Sequence, residues 1–250
     1  MIYQDFHVHT NFCDGKNTPE EMILAAIEKN MEKIGLLCHS YTDFDESYCI
    51  KKEKIQEFID TIHSLKEKYK DKIEIFCGVE QDYFSSHPTD GFDYVLGSVH
   101  YVYKNGRYFE VDTDKSALCD FVNEEYDGNW MELCRDYFEL VGDVASKTGA
   151  DIIGHFDLIT KFNQDDNLFS TDNEEYLAMG KAAIDKLILS GKPFEINTGA
   201  LSRGYRKEAY PKAEFLKYIL EKGGRVILSS DSHSCDSLCT EFERYKNYIK

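Results

Sequence analysis

The chain has 250 residues, 42% of them hydrophobic and 30% charged, enough for one large core and unlike a fibrous or disordered protein. Its formal net charge of −17 repels phosphate backbones, so long nucleic acid is excluded as a partner unless metal ions intervene, and small substrates are favoured. The eight cysteines form no Cys-x-x-Cys pair, no signal peptide opens the chain and no apolar run is long enough to span a bilayer, so the expectation is a cytoplasmic protein with reduced thiols and no membrane partner.

From the N-terminus, residues 2–8 form the first expected strand. Thr18-Pro19-Glu20-Glu21 then has the form of a helix start, with Thr as N-cap, Pro at the first helical position and Glu at the third. Met22, Ile23, Ala26 and Ile27 continue it as an apolar face, and Gly35 ends the connection. A second strand is expected at 34–38. A second helix is expected over 51–70, with Ile55, Phe58, Ile59, Ile62 and Leu65 on one face and His63 on the solvated side. Strands at 73–79 and 94–99 follow, separated only by a loop at about 81–93 that contains Pro88 and Gly91. Residues 101–112, with Asn105-Gly106, have the pattern of a hairpin. Helices at 115–126, 129–148, 173–191 and 210–222 alternate with strands at 151–154, 193–197 and 225–230. Such alternation predicts an α/β fold around a parallel sheet. Without a repeat or a dividing linker, residues 1–250 are expected to form one domain.

The chemistry-bearing residues share a position. His7 and His9, then His39, Glu80, His100, His155, and finally Asp231 and His233 fall at or just past the ends of expected strands. In a parallel barrel those ends open on one face, where active sites are built. Alternate residues of a strand point the same way, so both imidazoles of His7-x-His9 can reach one ion. Asp231-Ser232-His233 repeats the device, and Asp5 is placed to orient a ligand histidine from behind. With Asp14, these residues supply more ligands than one ion needs, and so suggest two or three ions sharing a bridging carboxylate.

Asp5-Phe6-His7-Val8-His9-Thr10, with Cys13-Asp14-Gly15 after it, resembles the opening motif of the polymerase and histidinol phosphatase (PHP) superfamily. Gly78-Val79-Glu80, Gly97-Ser98-Val99-His100, Gly154-His155-Phe156-Asp157 and Ser230-Asp231-Ser232-His233 resemble its later motifs in order. Glu195-Ile196-Asn197-Thr198, followed by Arg203, Arg206 and Tyr210-Pro211, is similar to the histidinol-phosphatase branch. The resemblance spans residues 5–242 and implies a distorted (β/α)7 TIM-like barrel with a trinuclear metal centre. It would place His7, His9, Glu80 and Asp231 on the first ion. Glu80 would bridge to a second ion completed by His100 and His155, and Asp14, His39 and His233 would hold a third. Three divalent or mixed-valence ions are implied, and the imidazole and carboxylate ligands suit Zn, Fe and Mn alike. Two features depart from the pattern. Cys38 stands before His39 where family members often carry Asp, and only 17 residues follow His233, without an evident closing strand. Neither removes a ligand.

Several ions in one site would lower the pKa of a shared water and bind phosphate oxygens across the cluster. Catalysis is expected to rest on Asp231, Glu80 and His233, with Asp157 as another candidate for proton traffic. Arg203 and Arg206 are candidates for clamping phosphate in a bidentate manner, although pairing with acidic neighbours is the plainer reading. His87 is the loop histidine that could touch substrate. Asp43 and Asp45 could select a cationic group, and Tyr41 or Tyr101 could stack on a ring. The expected function is hydrolysis of a small phosphomonoester, by resemblance L-histidinol phosphate in histidine biosynthesis. The alternatives are another phosphorylated metabolite, a phosphotyrosine or a nucleotide. A non-catalytic metal-binding domain would show missing ligands, and none is missing. The sequence carries no signal for oligomeric state.

Overall fold

A computed structural model describes residues 4–249. Strand β1 (Gln4–His9) leads through helix α1 (Pro19–Glu28) to β2 (Lys33–Leu37), and α2 (Ile55–Tyr69) connects β2 to β3 (Glu74–Asp82). Next come β4 (Tyr94–Ser98) and an antiparallel hairpin of β5 (Tyr101–Lys104) and β6 (Arg107–Glu110). Helices α3 (Lys115–Glu125), α4 (Trp130–Val141) and α5 (Val144–Thr148) precede β7 (Ile152–Ile153). Helix α6 (Glu174–Ile188) leads to β8 (Phe194–Asn197), then short α7 (Gly199–Ser202), α8 (Ala213–Glu221), β9 (Val226–Ser229) and short α9 (Phe242–Tyr245).

The hairpin stands apart, and the other seven strands form one parallel sheet in the order β1-β2-β3-β4-β7-β8-β9. No further strand is needed to close it. Just past β9, Ser232 bridges Val8 of β1 in parallel; its carbonyl accepts from His9 N at 2.8 Å and its N–H donates to His7 O at 3.1 Å. The seven expected strands are all present, although residues 2 and 3 of the first lie outside the described residues.

Three expected elements change in informative ways. The third strand runs on to Asp82 because Gln81 and Asp82 pair with Gly97 and Ser98 of β4, so Glu80 sits inside a ladder rather than on a loop. The helix expected over 129–148 is two, broken at Gly142-Asp143, both poor helix formers. The helix expected from 210 starts at Ala213 because Tyr210 is tied to β8: Asn197 N donates to Tyr210 O at 2.7 Å, and Tyr210 N to Asn197 O at 3.0 Å. The Tyr210–Pro211 bond is cis.

Local chemistry accounts for the framework. Thr18 and Glu21 form the expected capping box, Thr18 N donating to Glu21 Oε2 at 2.8 Å and Glu21 N to Thr18 Oγ1 at 3.3 Å. Behind β1, Val8 packs with Met22, Ile23, Phe58 and Ile62 of α1 and α2. Full burial of each such side chain is worth about 1.5–3 kcal/mol, the range for Val, Leu, Ile, Phe and Met. A larger cluster joins α3, α4, α6 and α8 to the other side of the barrel through Phe121, Phe138, Tyr176, Phe194 and Phe215. Inside the barrel, Phe6, Phe76, Tyr94, Leu96 and Ile227 from four strands form an apolar floor. Above it the polar residues begin. Among the described residues no helix is long and apolar enough to cross a membrane.

Candidate metal centre

The parity of β1 does what the sequence implies. Val8 faces the helices, while His7 and His9 turn inward with their Nε2 atoms 3.1 Å apart. A shift in pairing between Asp5 and Val8 marks an irregularity just below them, as is common beside active sites. Glu80 Oε2 lies 3.2 Å from His7 Nε2 and 3.3 Å from His9 Nε2, and Asp231 Oδ1 lies 3.7 and 3.6 Å from the same atoms. The second oxygen of Glu80, Oε1, lies 3.0 Å from His155 Nε2 and 3.3 Å from His100 Nε2. The carboxylate thus presents one oxygen to each of two groups of imidazoles, as a bridging ligand must. Towards the rim, Asp14 Oδ2 lies 3.0 Å from His233 Nε2 and 3.7 Å from His39 Nε2, and His39 Nδ1 lies 3.0 Å from Glu80 Oε2.

Three overlapping groups therefore have donor atoms close enough to share an ion: His7, His9 and Glu80; His39, Glu80 and His100; and His9, Asp14, His39 and His233. The donor chemistry fits borderline divalent metals. Two Nε2 atoms at 3.1 Å can share at most one hydrogen, whereas a cation between them and the carboxylates satisfies all the lone pairs.

Buried partners hold these donors in place. His7 Nδ1 lies 2.9 Å from Glu195 Oε2, and Glu195 Oε1 accepts from His155 N at 2.5 Å and Asn197 Nδ2 at 2.9 Å. His100 Nδ1 lies 3.3 Å from Asp82 Oδ2, which also accepts from His100 N at 3.0 Å. Ser98 Oγ donates to Glu80 Oε1 at 2.7 Å. The expectation for Asp5 is corrected. Its carboxylate takes the backbone N–H groups of His7 at 3.2 Å and Ser230 at 3.1 Å, stitching β1 to β9, and Glu195 is the residue that orients the imidazole. Asp231 adopts a left-handed backbone with φ of 49°, a strain typical of functional positions. Gly199 makes room for it, since a Cβ there would lie 2.8 Å from the Asp231 side chain.

Burial opposes the charges on Glu80, His7, His39 and His100, and mutual attraction outweighs it. Against burial, His39, His7 and His100 hold the Glu80 carboxyl well below the usual range. Against the same penalty, Glu195, Glu80 and Asp231 raise His7, while Glu80 and Asp14 raise His39. Glu80 and Asp82 push His100 up to about 10. The site is built to hold positive charge between carboxylates, so incoming metal ions must displace protons.

A cavity of about 760 Å³ opens above the cluster, bordered by Lys16, Tyr48, Glu110, Asp112, Lys161 and Arg203. Arg203 stands on this wall with Nη2 2.9 Å from Asp231 Oδ2 and Nη1 donating to Asp231 O at 2.9 Å. Arg206 does not. Its Nη1 donates to Thr160 O at 3.0 Å and it faces a separate depression beside Asn163 and Lys212. His87 lies outside the cavity against the Tyr41 ring, with centroids 6.0 Å apart. Asp43 is solvent-exposed and Asp157 is fully buried, its Oδ2 accepting from Lys212 N at 3.0 Å. His63 is exposed as expected. Tyr101 is buried and donates to Asp45 Oδ2 at 2.9 Å. The sequence motif contains Glu195 but assigns it no role, and Asp82, Glu110, Asp112 and Lys161 are not among the expected site residues. A glutamate between Phe194 and Ile196 in a buried strand is a signal for Glu195, because an unpaired charge does not belong there.

The chain is similar to several known proteins. The family model described as the PHP domain matches residues 5–199. A protein of Schizosaccharomyces pombe named a probable histidinol-phosphatase is 28% identical, the alignment covering 97% of this chain and 84% of that protein. A crystal structure from Listeria monocytogenes, of a candidate histidinol phosphatase, superposes with a TM-score of 0.85 at 20% identity, covering 97% of this chain and 100% of that one. The structure of Lactococcus lactis histidinol phosphate phosphatase, complexed with zinc, L-histidinol and phosphate, gives 0.73 at 22% identity, covering 98% and 92%. At these identities the two structures establish the shared barrel fold.

Proposed function

Since the chain belongs to the PHP domain family, we propose that it is a metal-dependent phosphatase that hydrolyses L-histidinol phosphate to L-histidinol and phosphate. The observation that carries this reading is the convergence of strand-end imidazoles on both oxygens of Glu80 beneath a cavity of about 760 Å³, a size suited to a small metabolite. The curated relatives that bear the histidinol-phosphatase name supply the substrate. The reaction is placed in the cytoplasm, a reducing compartment that suits eight free cysteines.

The ligand assignment is part of the proposal. His7, His9, Glu80 and Asp231 hold one ion, Glu80, His100 and His155 a second, and Asp14, His39 and His233 a third, with zinc, iron or manganese as the metals. When bound, such ions neutralise phosphate charge and lower the pKa of water to near neutrality. The chain's own residues set the stage for that chemistry. Glu195 keeps the proton of His7 on Nδ1, leaving Nε2 free to ligate, and Asp82 holds the His100 backbone N–H at 3.0 Å with its carboxylate 3.3 Å from the ring Nδ1. Arg203 fixes Asp231 from the cavity side and retains N–H donors for phosphate oxygens. Lys16 and Lys161 add positive charge to the same cavity.

A substrate panel on metal-replete enzyme tests the reading. Histidinol phosphate should exceed p-nitrophenyl phosphate in kcat/KM, and short oligonucleotides should not be cut. Equal rates on the two monoesters would point to a phosphatase of another metabolite.

A further inference from the structure

Five carboxylates border the main cavity: Asp14, Glu80, Glu110, Asp112 and Asp231. Four of them have cationic or imidazole partners. Asp14 lies 3.0 Å from His233 Nε2, Glu80 is ringed by imidazoles, Asp112 lies 3.0 Å from Lys161 Nζ and Asp231 lies 2.9 Å from Arg203 Nη2. Glu110 is the exception. Among the described residues no lysine, arginine or histidine nitrogen lies within 4.0 Å of its carboxylate. It is half-buried, and burial together with the neighbouring Asp112 raises its carboxyl above the usual range, against the more distant charge of His100 and a hydrogen bond from Thr113. A partly desolvated carboxylate without a counter-charge is unfavourable unless a ligand supplies one.

Its position suits a ligand that reaches away from the metals. Glu110 ends β6, paired across the hairpin with Tyr101, and the register holds it at the cavity wall. It also borders a smaller hollow of about 340 Å³ walled by Phe44, Tyr101, Tyr108 and Asp45, which Arg107 lines as well with its guanidinium paired to Glu124 at 3.4 Å. The Phe44 and Tyr108 rings stack there at 3.9 Å. Glu110 therefore stands where the phosphate cavity meets an aromatic surface, a setting that favours an organic cation.

We propose that Glu110 is the specificity residue for the amine of the substrate, its carboxylate binding the ammonium group of an amino-alcohol phosphate whose phosphate lies at the metal cluster. This rests on the histidinol-phosphate reading and names the residue that enforces it. Asp112 suits the role less, because Lys161 already neutralises it through Oδ2 at 3.0 Å and its carbonyl at 2.6 Å, although its buried Oδ1 has no partner.

The test compares L-histidinol phosphate with its analogue lacking the amino group, in the wild-type enzyme and in Glu110→Gln. The ratio of the two kcat/KM values is indifferent to any uniform loss of activity. The wild type should prefer the amine by roughly 10- to 100-fold, the scale of a charge-assisted contact. Glu110→Gln should bring that ratio close to one, chiefly through KM, and Glu110→Asp should keep part of it. A wild type indifferent to the amine, or a Gln variant that keeps the preference, overturns the proposal. Failure of the substrate reading is distinct: it is a wild type that favours p-nitrophenyl phosphate over both imidazole esters.

Discussion

The two sides of the cavity are made by different means. On one side His7, His9, Glu80, His100, His155 and Asp231 stand on or just past the strands of a closed parallel barrel, with donor atoms 3.0–3.7 Å apart. On the other, Tyr48 comes from a loop after β2 and Glu110 from the end of a hairpin that pairs with no barrel strand. Strand ends fixed by neighbours on both sides give the sub-ångström placement that metal ligands need. Loops and hairpins carry substrate choice, because they can change without disturbing the barrel.

The contrast breaks most sharply at Glu80. Replacing it with Ala removes the carboxylate that faces both groups of imidazoles, and kcat should fall on the order of a thousandfold or more, together with loss of bound metal. Near-normal turnover in that variant would refute the ligand assignment. One layer out, Glu195→Gln keeps the shape but weakens the hold on His7, and metal affinity should fall about 10- to 100-fold. Unchanged affinity in a metal titration would show that the buried pair is structural only.

Smaller effects sharpen the comparison on the wall. Arg203→Ala should raise KM by about tenfold while metal content stays intact. Its neighbour in sequence behaves differently: Arg206→Ala should leave KM within about twofold, because that guanidinium is committed to Thr160. Equal KM effects from the two would mean that Arg206 swings into the cavity.

Protonation gives a test of the metal-free protein. His100 is raised from 6.5 to about 10, so its contribution to the stability of the metal-free chain is fully present below pH 6.5 and fades as pH rises through about 10. The Tm of stripped protein should fall across that window, more steeply than that of His100→Asn, and apparent metal affinity should rise with pH. A stripped protein with the same slope as His100→Asn would contradict the assignment of charge to this imidazole.

How far the sequence speaks follows the same division. The apolar runs that make the strands are local signals, and the histidines at their ends are placed by chain parity alone, so β1 with His7 and His9 could be read directly. What lies across a gap between elements could not. Asp5 was expected to orient an imidazole, and only the pairing of β1 with the end of β9 turns its carboxylate to the backbone. Arg203 and Arg206 are three residues apart, but a short helix sends one guanidinium over Asp231 and the other to Thr160. Asp43 and His87 were candidates because they follow His39 and Glu80 in the chain, whereas the acids beyond the metal ligands that reach the cavity are Glu110 and Asp112, carried in by a hairpin whose position depends on packing against α4 and on Phe44 and Phe84.

We propose that one carboxylate, Glu80, gathers several ions at the mouth of the barrel. Metal analysis of the purified, metal-replete chain tests it most directly. The expected result is about two to three ions per chain, the number for groups joined by a bridging carboxylate, with fewer in Glu80→Ala. One ion or none in the wild type would contradict it.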